Sequence, residues 1–411
     1  MKDTIRLGVI GLGGRGKGLL NNVLFGMDDV IVTAVCDVYP DRIDDIKKLA
    51  LEKGKPAPDG TTDYHKLLDR TDVDAVLIAA AWEFHCEIAV AALEKGKITA
   101  LEVGGCYSVE ELWELVRTQE RTKTPFMFLE NCCYDRSELL VTNMARKGVF
   151  GEIVQCSGSY CHDLRDEIAG GIKNRHYRLR NYLHRNCENY PTHELGPIAK
   201  LLDINRGNAF VSLVSVATKA AGMKEYLKTH PIEGLDSDGL NFRQGDIVDT
   251  IITCAGGETI RLKLYTTIPH YYDREFCVSG TKGFYNQTTN SVWLDGEKEE
   301  KWTGYDNTRL IFDNATKYED EYLPQIWKEV TPEILDAGHG GMDYFILRDF
   351  IDCAKEGKEM PLDVYDAAAW MVVSRLSEQS ISLGGAPVSF PDFTCGKWLV
   401  RDRKDVIDFS K

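Results

Sequence analysis

Apolar and polar positions follow two different patterns along the chain, and the first pattern covers residues 1–130. Short apolar runs predict strands, and the stretches between them carry apolar residues at helical spacing. Ser108 and Glu111 form a capping-box pattern at the start of one of these helices. The predicted strands are the apolar run that opens IRLGVIGLGGRG, then VIVTAVCD, DAVLIAA, KITALEV and PFMFLE. Because strands and helices alternate, residues 1–130 are predicted to form an α/β domain with a doubly wound parallel sheet.

The second pattern begins after a predicted helix at 136–147 and predicts mainly strands. Gly256 and Gly257 separate two alternating runs in the manner of a hairpin, and FCVSGTKGFYN contains another turn between strands. Residues 131–411 are therefore predicted to form a second, α+β domain with a largely antiparallel open sheet. From about residue 366 this domain is predicted to continue as a helix, capped by Asp366 and ended by Gly384-Gly385, followed by a return segment.

Composition narrows the class of protein. The 411 residues are 43% hydrophobic and 27% charged, which is ordinary for a globular protein, and no stretch is apolar enough to cross a bilayer. A net charge of −15 argues against nucleic acid, because phosphate binding depends on Lys and Arg. The partner expected instead is a small molecule.

The spacing of the cysteines bears on metal binding, and the N-terminus bears on the cellular compartment. The 12 cysteines include the doublet Cys132-Cys133 but no CxxC pair or zinc-type spacing, so reduced, mostly buried thiols and no metal site are predicted. The chain enters its first strand almost at once, which leaves no room for a signal peptide. A cytoplasmic protein is the expectation.

A glycine turn follows the first strand and precedes a helix. Its residues Gly11, Gly13, Gly14, Arg15 and Gly16 include the pattern G-x-G-x-x-G, which in this setting indicates dinucleotide binding with the pyrophosphate at the helix N-terminus. Asp37 ends the second strand, where a carboxylate accepts hydrogen bonds from ribose hydroxyls and repels a 2′-phosphate, so NAD is predicted over NADP. Arg42 weakens that preference. The alternative is a glycine turn without a ligand and a surface aspartate.

The later strands end in polar or aromatic residues that are expected to face the same ligand, because ligands lie beyond the carboxyl ends of such strands. These residues are Trp82, Glu83, His85, Glu102, Val103, Glu130 and Asn131. Glu102 is the most informative, since it interrupts an apolar run. Its alternative interpretation is a strand-edge carboxylate in water.

This domain order resembles the Gfo/Idh/MocA family of sugar oxidoreductases over nearly the whole chain. Members usually carry Glu-Lys-Pro where this chain has Glu102-Val103-Gly104, and the missing lysine argues against ordinary alcohol dehydrogenation. Several motifs are more similar to the NAD-dependent glycosidases of glycoside hydrolase family 109, the α-N-acetylgalactosaminidase type. These motifs are WEFH at 82–85, LENCCY at 129–134, GSY at 158–160, HDLR at 162–165, YPTH at 190–193 and PDFT at 391–394.

The resemblance implies an NAD site and a sugar site. Trp82, His85, Glu102, Val103 and Asn131 correspond to positions that line NAD. The implied substrate-binding residues are Glu130, Tyr160, Arg178, Tyr190, Thr192, His193 and Tyr272. Among them His193, Tyr160, Tyr272 and Tyr190 are the predicted catalytic groups. Arg178 is matched least firmly, because RHYRLRNYLHR contains several arginines.

The chemistry implied by the resemblance is a redox cycle rather than the usual attack by two carboxylates. Oxidation at C3 of the sugar acidifies the C2 proton; a base removes it, the C1 substituent leaves, water adds and the hydride returns to C3. Histidine exchanges protons near neutral pH, and a tyrosine does so with a positive charge nearby. His193 is therefore predicted to transfer protons or orient substrate from a Pro-ordered loop beside Tyr190.

Other interpretations of the same residues stay open. His193 can be an ordinary core histidine or, with Glu194, part of a metal site, and Tyr160 and Tyr272 can be simple packing. A net sugar or cyclitol dehydrogenase and a non-catalytic sugar sensor are the alternative functions. The family members compared carry Gly in place of Glu194, so the resemblance does not fix the sugar. The exposed face of the second domain's sheet predicts a homo-oligomer.

Overall fold

The computed structural model describes residues 3–232, 239–296 and 311–409. Their contacts divide the chain into two compact units, Met1–Tyr134 with Val330–Val372, and Asp135–Glu329 with Val373–Lys411. The strand and helix pattern gave no sign that 330–372 packs with the N-terminal residues. The functional boundary near residue 130 stays a prediction.

The first unit contains a six-stranded parallel sheet. Its strands are β1 Ile5–Ile10, β2 Val30–Cys36, β3 Asp59–Thr61, β4 Ala75–Ile78, β5 Ile98–Leu101 and β6 Phe126–Phe128. The order β3-β2-β1-β4-β5-β6 confirms the predicted doubly wound fold and places its switch point between β1 and β4. The sequence missed β3, because DGT contains no apolar residue to mark a strand.

Helices join these strands, and all of them except α3 Tyr64–Leu68 were predicted. Ser108 and Glu111 form both hydrogen bonds of the capping box, which confirms the predicted helix start. The helices up to Thr122 are α1 Gly14–Asn22, α2 Pro40–Glu52, α3 Tyr64–Leu68, α4 His85–Glu94 and α5 Val109–Thr122. The core of the unit is apolar: every residue of β4 and β6 is buried.

The second unit contains an eight-stranded sheet in which β7 and β10 alone run parallel to each other among the described pairs. Its strands are β7 Ile153–Cys161, β8 Phe210–Ala217, β9 Ile247–Cys254, β10 Thr259–Tyr265, β11 Cys277–Gly280, β12 Gly283–Asn286, β13 Ser291–Leu294 and β14 Val388–Ser389. Their order is β13-β12-β11-β7-β10-β9-β8-β14. The predicted largely antiparallel sheet is confirmed, including the β9–β10 hairpin, whose turn has Gly257 at φ +98°.

The remaining helices follow β6 in the chain, and the one at Thr192–Leu201 packs on β7 and β10 of this sheet. They are α6 Arg136–Arg146, α7 Arg165–Ala169, α8 Arg178–His184, α9 Thr192–Leu201, α10 Gly222–Leu227, α11 Glu319–Tyr322, α12 Gln325–Lys328, α13 Pro332–Leu335, α14 Met342–Glu356 and α15 Val364–Ser382. The predicted cap of α15 was wrong. Asp363 accepts hydrogen bonds from the N–H groups of Tyr365 and Asp366, so the helix begins earlier and Asp366 lies in its first turn.

Two further features concern the cysteines and the apolar character of the helices. All 12 cysteines are free, and ten of them are buried. Across 3–232, 239–296 and 311–409, no helix combines the length and apolar character needed to span a membrane.

Candidate functional site

The glycine turn connects β1 to α1 at the switch point of the parallel sheet. Gly11 has φ +93°, and a Cβ there would lie 2.5 Å from the carbonyl carbon of Ala79. A Cβ on Gly16 would lie 2.0 Å from the Gly11 carbonyl oxygen, whereas one on Gly14 would have nothing within 4 Å. Two of the glycines are therefore required to close the turn, and the start of α1 stays open. With no acidic residue in its first turn, α1 suits a pyrophosphate.

Asp37 lies at the end of β2 against this turn and is only 6% exposed. Its carboxylate accepts hydrogen bonds from the Leu12 N–H at 2.8 Å and the Tyr39 N–H at 3.0 Å. Arg42 Nη1 lies 3.4 Å from the same carboxylate and close to Gly13. A carboxylate has room for further donors, so this fixed aspartate fits the role of ribose acceptor. It is not a surface side chain.

Trp82 and His85 lie beyond the end of β4 and are buried. A Cβ on Gly104 would lie 2.5 Å from Trp82 Cδ1, so the indole ring occupies the space of a side chain at that position. This packing explains why a glycine follows Val103, which is itself buried.

His85 is a buried, neutral imidazole. Its Nε2 lies 3.0 Å from the Ala80 carbonyl oxygen, which can only accept, so Nε2 carries the ring proton. Burial lowers the pKa of His85 to about 4. Nδ1 is buried and has no hydrogen-bond partner in the described part of the chain, which leaves an acceptor for a ligand donor.

Arg15 is the centre of a charged network inside the first unit. Its Nε donates to Glu102 at 2.9 Å, and its Nη1 and Nη2 donate to Asp343 of α14 at 2.6 and 2.9 Å. Asp343 also accepts from Asn131 Nδ2 at 2.8 Å and lies 2.8 Å from His339 Nδ1. Glu102 is therefore a buried, paired carboxylate rather than one in water. The network joins three predicted cofactor residues, Arg15, Glu102 and Asn131.

Sequence reasoning missed Asp343 and His339. They belong to the stretch GHGGMD, whose three glycines were a local signal for an unusual turn, but 328 residues separate Arg15 from Asp343. No spacing rule connects such distant positions. Burial opposes the charge of Asp343, but the hydrogen bonds from His339 and Arg15 outweigh it and hold the pKa of this carboxyl well below its usual range.

We expect Asp343→Asn to weaken NAD binding about tenfold, because Arg15 and Asn131 lose their shared anchor. The free energy of unfolding should fall by roughly 1–3 kcal/mol near neutral pH. Since the folded pKa is depressed, this stabilisation is present above the ordinary carboxyl pKa and is lost as the pH falls below about 4. Calorimetric titration with NAD and denaturant melts at two pH values measure both effects.

The matched control is Asp352→Asn on the same helix, whose half-exposed carboxylate pairs with Arg348. It should leave NAD affinity unchanged and cost less than about 1 kcal/mol. Equal losses in the two variants would contradict the role assigned to Asp343.

In the second unit, α9 lies across β7 at a glycine. A Cβ on Gly158 would be 2.8 Å from Glu194 Cβ, so only glycine permits this close approach. Tyr160 follows two residues later on the same face of β7, and His193 precedes Glu194 on α9. The crossing therefore brings the phenol of Tyr160 beside the imidazole of His193, with ring centroids 5.7 Å apart.

Five rings form what is called here the phenol–imidazole cluster: Tyr160, His162, Tyr190, His193 and Tyr272. Tyr160 is its centre, with ring centroids 4.6 Å from Tyr190 and 6.3 Å from Tyr272. The Tyr190 hydroxyl lies 3.2 Å from His193 Nε2, and the Tyr160 hydroxyl lies 3.0 Å from His162 Nδ1. The structure thus brings together all four predicted catalytic residues. Each imidazole has a phenol as hydrogen-bond partner.

His193 lies in the first turn of α9, directly after Pro191 and Thr192. The prediction of a Pro-ordered loop was therefore wrong: Pro191 precedes a helix, where the fixed φ of proline is compatible with the start of helical structure. Thr192 is fully buried, and its hydroxyl has no hydrogen-bond partner among the residues described. The helix fixes the direction of the His193 ring more firmly than a loop would.

Arg178, the least certain assignment, lies at the edge of the cluster. Its Cζ is 5.1 Å from the centroid of the Tyr190 ring, and its Nε pairs with Glu167 at 2.6 Å. Burial opposes the charge, but Glu167 and neighbouring phenols outweigh it and raise the pKa of Arg178. The guanidinium therefore brings a permanent positive charge to Tyr190.

His162 was not among the predicted site residues, although the motif at 162–165 begins with it. Burial, and then the positive charge of Arg178, lower the pKa of His162, so its ring is neutral at pH 7. A signal existed in the sequence, since His162 is two residues from Tyr160 and shares its direction at the strand end.

Glu130, a predicted substrate-binding residue, and Glu194, which follows His193, lie in different surroundings. Glu130 belongs to the first unit, where it is fully buried and accepts a hydrogen bond from the Cys132 N–H at 3.0 Å. Its assignment to the substrate stays a prediction. Glu194 is 2% exposed and packs over Gly158, so it is part of the contact between α9 and β7.

A glycine turn on a parallel sheet and a cluster of phenols and imidazoles on an open sheet fit the class of enzymes built on an NAD-binding Rossmann domain. Residues 5–129 match the family described as "Oxidoreductase family, NAD-binding Rossmann fold". Residues 134–400 match "Glycosyl hydrolase 109, C-terminal domain". The chain belongs to glycosyl hydrolase family 109, and its cofactor is NAD.

Full-length relatives agree with this membership. A "Glycosyl hydrolase family 109 protein" of Stenotrophomonas maltophilia (strain K279a) is 36% identical, covering 99% of this chain and 92% of the relative. An "Alpha-N-acetylgalactosaminidase" of Tannerella forsythia is 36% identical, covering 97% of this chain and 88% of the relative.

Solved structures show the same fold at low identity. Levoglucosan dehydrogenase, solved with NADH and levoglucosan, has a TM-score of 0.69 at 17% identity over 94% of this chain and 100% of that chain. A myo-inositol 2-dehydrogenase of Lactobacillus plantarum has a TM-score of 0.66 at 16% identity over 94% of this chain and 100% of that chain. The resemblance to Gfo/Idh/MocA and family 109 proteins is confirmed.

Proposed function

We propose that this NAD-dependent glycosidase cleaves its substrate by transient oxidation at C3, loss of the C2 proton, elimination at C1, addition of water and reduction at C3. Bound NAD supplies the hydride acceptor for C3 and returns the same hydride. The observation that carries the proposal is the phenol–imidazole cluster, which provides proton donors and acceptors instead of the two carboxylates of ordinary glycosidases.

Within the cluster, we assign the proton transfers to two phenol–imidazole pairs. Tyr190 and His193 form the first pair and exchange a proton with the C3 hydroxyl and carbonyl. Tyr160, paired with neutral His162, acts at C2, and Tyr272 contacts the sugar from the exposed side. Arg178 stabilises a phenolate at Tyr190, because a cation next to a phenol favours its charged form.

In the proposed mechanism, one part of the chain binds NAD and the other binds the sugar. The first unit holds NAD through the glycine turn, Asp37 and the Arg15 network, which includes Asp343 of the segment 330–372, and no metal is assigned to the reaction. The phenol–imidazole cluster of the second unit binds the sugar. Buried Thr192 supports this assignment, because its hydroxyl still has a hydrogen bond to give.

N-acetylgalactosaminides are the first substrates to test, since the relative from Tannerella forsythia carries the name of that activity. Aryl glycosides are supplied to the NAD-loaded protein in heavy water. Hydrolysis without accumulating NADH, with deuterium at C2 of the sugar, is the expected result. Stoichiometric NADH would instead identify a net sugar dehydrogenase, and cofactor binding without turnover on a broad panel of sugars would identify a sensor.

We further propose that the chain forms a homo-oligomer through the open face of the second sheet. Apolar side chains that share this face stay well exposed, between 37% and 53%. They are Val216, Ile251, Phe284 and Trp293. Sedimentation velocity should give a mass that is a multiple of 46.3 kDa. The 12 free thiols favour a reducing compartment, which supports the cytoplasmic assignment.

A further inference from the structure

Three metal-binding side chains of the second unit meet at the end of β7. Cys161 Sγ, a ring nitrogen of His270 and a carboxylate oxygen of Glu275 all lie within 4.8 Å of one another. Cys161 is buried, whereas His270 and Glu275 are partly exposed, so an ion can approach from solvent. We propose that Cys161, His270 and Glu275 bind one zinc ion, which fastens the segment 270–275 to the end of β7. The inference does not depend on the proposed glycosidase mechanism.

The donor set favours zinc. A thiolate, an imidazole and a carboxylate are the three protein ligand types that zinc uses, whereas Mg²⁺ and Ca²⁺ take oxygen alone. Zinc–ligand bonds of about 2.0–2.3 Å place ligand atoms of a tetrahedron roughly 3.5 Å apart. Because the three atoms lie within 4.8 Å of one another, each pair needs to approach by about 1.3 Å at most, and three protein ligands leave a fourth position for water.

His270 is already held in a metal-binding form. Its Nδ1 lies 2.6 Å from the Tyr271 carbonyl oxygen, which can only accept, so Nδ1 carries the proton in the neutral ring. Nε2 is then the bare nitrogen. A backbone carbonyl that orients a histidine in this way is a common outer contact of metal sites.

The segment 270–275 is also positioned before any ion binds. Asp273 exchanges two backbone hydrogen bonds with Cys161, each 3.0 Å long. Arg274 pairs with Asp135 at 3.0 Å and Glu138 at 2.8 Å. The ligand carriers therefore lose little conformational freedom on binding, which favours affinity.

Lys263 is the internal competitor for the ion. Its Nζ lies 2.6 Å from Glu275 Oε2, so a positive charge already lies beside this carboxylate and opposes the binding of a dication there. Asp249 lies directly opposite Lys263 in the β9–β10 ladder and offers the ammonium a second partner. Burial raises the pKa of the Cys161 thiol, so zinc must displace its proton to solvent on binding.

The consequence for the sugar site concerns Tyr272. This half-exposed phenol lies between His270 and Glu275 in the chain, and its ring contacts those of Tyr160 and His162. Tyr160 precedes Cys161 on β7 and points to the opposite face of the strand. A zinc ion on one side of the strand end would therefore hold Tyr272 in place on the other side. Zinc-type spacing is absent from the sequence because the three ligands come from separate stretches.

The test is metal binding by the full-length protein after stripping with a chelator. We expect one zinc per chain, a thiolate-to-metal absorption band when Co²⁺ replaces zinc, and slower hydrogen exchange in 270–275 with zinc. Cys161→Ser should abolish the Co²⁺ band, and His270→Ala and Glu275→Gln should weaken zinc at least about tenfold. Lys263→Met should tighten zinc by about two- to fivefold, because it removes the competitor.

Cys277→Ser is the matched control, because this half-buried thiol lies on the neighbouring strand β11. It should keep both the stoichiometry and the Co²⁺ band. His270→Ala changes a partly exposed side chain and tests the site even if Cys161→Ser fails to fold. The proposal is overturned if the native protein binds no zinc, or if it and the three ligand variants bind zinc equally.

Discussion

Replacing His193 by alanine is expected to lower kcat for glycoside hydrolysis by about 10²–10⁴-fold, the range measured for loss of a general acid–base group. His193 Nε2 lies 3.2 Å from the Tyr190 hydroxyl, so the substitution removes one member of a proton-exchanging pair. NAD affinity should not change, because the residues assigned to NAD belong to the other unit. Initial rates on an aryl glycoside and calorimetric titration with NAD measure the two quantities separately.

Two further variants separate chemistry from packing. Tyr190→Phe keeps the ring beside Tyr160 but removes the hydroxyl, and it should also lower kcat while leaving the free energy of unfolding within about 1 kcal/mol. His184→Ala, an exposed histidine at the end of α8, should be silent. If His193→Ala retained half of the native kcat, His193 would be a structural histidine, and the proposed mechanism would lose its first proton carrier.

Periodicity predicted most of the fold for a physical reason. Strands buried on both faces are continuous apolar runs, as β4 and β6 are, and strands with one exposed face alternate, as β9 and β10 do. The features that the pattern did not predict have no apolar periodicity of this kind. DGT of β3 has no apolar residue, and the return of α14 to the first unit depends on tertiary contacts that local sequence does not encode.

The residues of the candidate site also differ in how far the sequence could predict them. The glycine turn and Asp37 were predictable because the motif is local and each residue has a separate geometric task. The proposed catalytic residues came from family resemblance, since a phenol on an alternating strand looks like packing. Asp343 was beyond sequence reasoning, because only the folded unit brings it to Arg15, and His162 was overlooked beside a more familiar motif.

Gly16→Ala should weaken NAD binding by about 10- to 100-fold, equivalent to roughly 1.4–2.7 kcal/mol. The new Cβ would lie 2.0 Å from the Gly11 carbonyl oxygen, and that atom is backbone, so the turn itself must shift. Gly11 cannot move freely in response, because it packs on Ala79 with φ +93°. The start of α1 would then move away from the position where we expect its N–H groups to receive the pyrophosphate.

Gly18→Ala is the matched change two residues further along α1, where a Cβ would have nothing within 4 Å. Alanine is the better helix former by about 0.5–1 kcal/mol, so this variant should be slightly more stable and bind NAD normally. The two variants add the same methyl group to the same helix, and opposite effects on stability are expected. If Gly16→Ala bound NAD as tightly as Gly18→Ala, closure of the turn by the contact of Gly16 with Gly11 would not be what shapes the cofactor site.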